Sequence, residues 1–137
     1  MRFMMLMIPK GYEKAVPGTM PDAKAVEAMM KYNESLQKAG VLLALDGLHP
    51  PSMGVRVSFP GGKPKVTDGP FTEAKEVVGG YAIFDVPSKA QMIKLTERFM
   101  GLHKKHMPGW EGECEVRQMA EPGAEPCVQT QEAQAVV

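Results

Sequence analysis

Residues 67–81 (TDGPFTEAKEVVGGY) restrict the fold more than any other part of the chain. Asp68-Gly69-Pro70 can continue neither a helix nor a strand. Glycine tolerates backbone angles closed to other residues, and proline fixes φ and has no N–H to donate. The residue before a proline is also pushed toward extended geometry, so Gly69 has to turn the chain. Phe71 follows at once and is a large apolar side chain that needs a pocket. A charged run, Glu73 to Glu76, then leads through Gly79-Gly80 into an apolar segment.

The flanking segments are short and well punctuated. Residues 2–8 (RFMMLMI) read as a central strand covered on both faces and stopped by Pro9. Pro21-Asp22 opens a helix, with Asp22 accepting from an orphan N–H and Gly40 capping the far end. Its stripe is Val26, Met29, Met30, Asn33 and Leu36 at three-to-four spacing. Residues 41–48 form a second strand, and 54–59 alternate as one arm of a hairpin returning over 63–68. Residues 77–86 read as a strand whose Gly79-Gly80 predicts a bulge or a close backbone approach. Ser88 caps a second helix to about Leu102 with Met92, Leu95, Phe99 and Leu102 on one face. Residues 112–119 alternate as an edge strand, Cys114, Val116 and Gln118 against Glu113, Glu115 and Arg117. The order strand, helix, strand, hairpin, strand, helix, strand predicts an α+β, ferredoxin-like split βαβ domain over residues 1–119, with both helices on one face of an antiparallel sheet. The opposite face is left bare, and a second copy placed sheet to sheet would complete a dimeric α+β barrel with a cavity. Residues 120–137 read as a flexible tail or an arm on a partner subunit.

With 137 residues and 16 cationic against 16 anionic side chains, the chain has room for one core and no net charge. That balance argues against nucleic acid or an acidic membrane surface as partner. The longest apolar run is too short to span a bilayer and lacks the features of a secretory leader, so the expected location is cytoplasmic. Cys114 and Cys127 follow no metal or redox spacing and read as two thiols. The 12 methionines form no compact Met-x-Met cluster and read as core filling.

Residues 68–81 (DGPFTEAKEVVGGY) resemble the signature of the DGPF-type branch of the YCII-related family. Tyr32-Asn33-Glu34, Lys38-Ala39-Gly40-Val41-Leu42, Gly47-Leu48-His49-Pro50 and Gly61-Gly62-Lys63-Pro64 support the likeness, which extends from Arg2 to Met119. The resemblance implies a ferredoxin-like dimeric α+β barrel. Relatives include a dehydrochlorinase of chlorinated hydroxyquinols, and the fold is shared with muconolactone isomerases, so it implies cofactor-free proton transfer on a small cyclic or aromatic molecule. A histidine–aspartate pair, the histidine on the first helix, has been proposed as the centre of such proteins, yet residues 21–39 hold no histidine. Members are also often encoded beside extracytoplasmic-function sigma factors, which implies the alternative of a non-catalytic ligand-binding or interaction module.

The candidate catalytic residues are Asp68, as a general base, and His49, a residue type suited to proton transfer that here follows a strand end. Each has a plainer role: Asp68 bonding amides of its own turn, His49 a surface loop residue. Tyr32 and Asn33 on the first helix, Arg56 as a carboxylate clamp and Phe71 are the candidate substrate-binding residues. His103 and His106 read as solvated helix-end residues rather than metal ligands, since no third ligand is near in sequence. No metal or cofactor is expected.

Overall fold

A computed structural model describes residues 1–15, 23–71 and 76–121. Four strands, β1 (Arg2–Pro9), β2 (Leu42–Gly47), β5 (Gly80–Asp85) and β6 (Gly112–Gln118), form an antiparallel sheet in the order β2-β5-β1-β6. β3 (Val55–Ser58) and β4 (Lys65–Asp68) pair only with each other, Val55 opposite Asp68 and Val57 opposite Val66. Helices α1 (Ala23–Lys38) and α2 (Lys89–His106) complete the ferredoxin-like α+β arrangement that the order of elements predicted.

The core follows from strand alternation. Phe3 and Met5 on β1, Ala82 and Phe84 on β5, and Leu42 on β2 are buried on one face, joined by Met92 and Phe99 of α2. Cys114 and Val116 of β6 reach the same layer, as the alternation of that edge strand predicted. Burial pushes the Cys114 thiol up to about 11, and it lies 3.2 Å from the Met100 sulfur. It is therefore a packed thiol rather than a reactive one. Cys127 and the tail beyond residue 121 lie outside the described residues, as do Pro21 and Asp22.

One detail differs from the sequence reading, and one open alternative is decided. β1 is central, but both helices pack on the same face of it. Met4, Leu6 and Ile8 alternate to the other face and are half-buried within one chain. The register shift falls in β2, between Leu42 and Ala44, rather than at Gly79-Gly80. The glycine pair serves close approach instead. A Cβ on Gly80 would stand 3.1 Å from the Asp46 carbonyl oxygen, and one on Gly79 would stand 3.0 Å from the Pro9 ring.

α1 turns two adjacent stripes inward. Ala25, Met29, Tyr32 and Leu36 pack on the core, whereas Val26, Met30 and Asn33 face the cavity described below. Gly40 ends the helix with φ near +73°, and the Val41 N–H donates to the Leu36 carbonyl at 3.0 Å. At the start of α2 the Ser88 hydroxyl oxygen accepts from the Gln91 N–H at 3.2 Å. Ser88→Ala is expected to lower stability by about 1 kcal/mol, read as a fall in the urea midpoint at unchanged slope.

Candidate functional site

Between the helix layer and one end of the sheet lies a cavity of about 470 Å³. Apolar side chains dominate it: Met5 and Met7 from β1, Val26, Met29 and Met30 from α1, and Phe99 and Met107 at the end of α2. Its polar members are Asn33 and His103, with Asp46 and Tyr81 at the strand ends, where the Tyr81 hydroxyl donates to Asp46 Oδ2 at 3.0 Å. That hydrogen bond, with the Asp46 charge behind it, raises the Tyr81 pKa and keeps the phenol protonated.

His103 was expected in solvent and is instead only 7% exposed. The helix period explains the correction, because position 103 stands one turn beyond Phe99 and continues the buried stripe of Met92 and Phe99. Its Nδ1 lies 3.0 Å from the Phe99 carbonyl oxygen. A carbonyl only accepts, so Nδ1 carries the proton and Nε2, across the ring from the helix backbone, keeps its lone pair. The ring is held between Phe99 and Trp110, with centroids 4.4 and 5.0 Å away. Burial lowers its pKa, while the bond to Phe99 pulls weakly the other way. The outcome is a neutral imidazole of fixed tautomer in the wall of an apolar cavity. The sequence signal for it was the four-residue step from Phe99.

A second cavity, of about 450 Å³, lies under the signature turn and is bordered by His49, Pro51, Met53, Arg56, Phe71 and Glu76. The Arg56 guanidinium carbon sits 3.9 Å above the Phe71 ring. Phe71 is half-buried in the wall of this cavity under Arg56, and the peptide between Gly69 and Pro70 is cis.

The sequence candidates are consequently dispersed. His49, Arg56 and Phe71 border the second cavity and Asn33 the first. Asp68 ends β4, is exposed, and lines neither. Tyr32 packs on the core. Its hydroxyl is buried without a hydrogen-bond partner among the described residues, and burial raises its pKa.

The elements thus form a ferredoxin-like α+β domain with a histidine-bearing cavity between sheet and helices. The model of the YCII-related domain matches residues 1–99, and the chain belongs to that family. No curated protein matches it. Among the described residues no helix is long and apolar enough to cross a membrane.

Proposed function

We propose that this protein is a cofactor-independent proton-transfer enzyme of the isomerase or lyase kind, with its substrate in the first cavity and His103 as its base. The supporting observation is the buried, neutral imidazole pinned through Nδ1 to Phe99. In this reading Nε2 takes a proton from a carbon beside a carbonyl, and the electron pair moves onto the carbonyl oxygen. The Asn33 amide donates to the developing oxyanion. The imidazolium then returns the proton to a different carbon, completing an isomerisation. In an elimination, a halide leaves instead with its electron pair and the proton passes to water.

The chain has one tryptophan, Trp110, whose ring packs at a tilt against His103, so its emission reports on that part of the cavity wall. The test is a screen of lactones and small cyclic ketones by Trp110 fluorescence, followed by product analysis of every binder. Binding with turnover supports the proposal. Binding without turnover replaces it with the non-catalytic alternative, a ligand-responsive module of sigma-factor regulation, and an absence of binders overturns it.

A second reading places the chemistry with Asp68 and His49, and is favoured by His49, Arg56 and Phe71 sharing one cavity wall. It predicts that Asp68→Asn and His49→Ala abolish turnover while His103 variants retain it.

The same proposal takes the protein as a DGPF-branch member working as a cytoplasmic homodimer. Two features support a second copy: the half-buried apolar outer face of the sheet, and the β3–β4 ribbon, whose Val55, Val57, Phe59 and Val66 are all more than half exposed. A two-stranded ribbon is marginal by itself, and such a face needs cover. Sedimentation velocity at micromolar concentration is expected to give twice the chain mass; a monomer would count against the barrel.

A further inference from the structure

The charges around the first cavity bear on what it can hold. Among the described residues its lining contains no lysine and no arginine, and Asp46 is its one carboxylate. We infer that this cavity selects uncharged molecules with a flat apolar body and one N–H or O–H donor, and turns away carboxylates of the same shape. The inference rests on the reading of this cavity as the ligand site.

The argument starts from what an anion would meet there. It would leave water for a space walled largely by methionine and phenylalanine, with no cation to receive it. Asp46, exposed and already accepting from Tyr81, supplies no cation at the strand end. The last turn of α2, at His103 and Met107, presents the carbonyl end of a helix and so a partial negative charge. The first turns of α1, at Ala25 and Val26, present the opposite partial charge, and the two helix ends roughly offset each other. A full negative charge is left with no cation, the Asn33 amide being a neutral donor among the described lining residues.

An uncharged donor meets different chemistry. His103 Nε2 is an acceptor, because the ring proton is held at Nδ1 by the Phe99 carbonyl. Asn33, elsewhere in the lining, can donate or accept. The thioethers of Met5, Met7, Met29 and Met30 are polarisable and adapt to a flat face, and the volume is in the range of small-molecule sites.

Met30 makes the idea testable without disturbing the core, since it borders the cavity yet is 63% exposed. The probes are three matched pairs: benzamide and benzoate, cinnamamide and cinnamate, 2-naphthamide and 2-naphthoate. Dissociation constants are measured at pH 7 by ligand-observed NMR on the full chain and on Met30→Lys. The expected result is amide binding about tenfold or more tighter than carboxylate binding in the wild type. Met30→Lys should then shift the amide-to-carboxylate ratio by about tenfold toward carboxylates. Carboxylates that bind the wild type as tightly as their amides overturn this inference and leave the cavity as a ligand site. A preference that Met30→Lys does not move places the binding elsewhere and also overturns it. If no probe of either kind binds, the reading of the cavity as a ligand site fails, and the inference falls with it.

Discussion

His103→Asn is expected to reduce turnover of a cavity substrate by about 10²–10⁴-fold, the range that a positioned general base contributes. Asparagine suits the test because its amide N–H can replace Nδ1 as donor to the Phe99 carbonyl, yet it supplies no nitrogen able to take a proton. A merely structural role for His103 would show as lost stability with turnover preserved. The pH dependence gives a second readout. Burial lowers the His103 pKa below its ordinary value of 6.5, so the unfolded chain binds this proton more readily than the folded one. Below pH 6.5 the unfolded state therefore gains protons first. Stability contributed by the neutral ring is complete above that pH and is lost as pH falls through the folded-state pKa. Urea midpoints should fall in this window for the wild type, less so for His103→Asn. Trp110 emission, quenched when the neighbouring ring becomes cationic, should titrate with a midpoint below 6.5. A midpoint at or above 6.5, or an unchanged profile in the variant, would remove His103 from the proposed role.

The elements were legible because their signals are local. The apolar run of residues 2–8, the Ser88 cap and the Gly40 stop each act over a few residues, and each element appears where the pattern put it. Family membership was legible from the residues around Gly69-Pro70. The candidate site was less so, because a cavity joins residues by tertiary packing. His103 looks solvated when read with Lys104 and Lys105, and buried when read with Phe99. Asn33 was picked out as the polar member of an apolar stripe, of which Val26, Met30 and Asn33 border the cavity while Leu36 packs on the core. Nothing in the spacing of Asp68 and His49 could say whether they meet, since Asp68 closes a ribbon that pairs with no strand of the main sheet.

Gly69→Ala is expected to destabilise the fold by about 3 kcal/mol or more, a large effect for one methyl group. A Cβ at Gly69 would stand 1.7 Å from the Pro51 carbonyl oxygen and 2.8 Å from its carbon. Both are backbone atoms that cannot rotate aside. The Gly69 N–H also donates to the Gly54 carbonyl at 2.8 Å, which ties the base of the ribbon to the turn Pro51–Met53. A side chain here would push the two segments apart, lose that bond at about 1 kcal/mol, and loosen the wall where Arg56 covers Phe71. Gly101→Ala is the matched control. Gly101 lies within α2 and its added Cβ meets nothing within 4 Å, so the same chemical change should stabilise by about 0.5–1 kcal/mol. Opposite signs in urea unfolding would establish that the central turn of the signature is set by packing against Pro51. A Gly69→Ala protein within about 0.5 kcal/mol of wild type would refute that packing. If the expected signs are found, the most recognisable motif of the chain is explained by the fold alone, and proton transfer need not be sought in its aspartate.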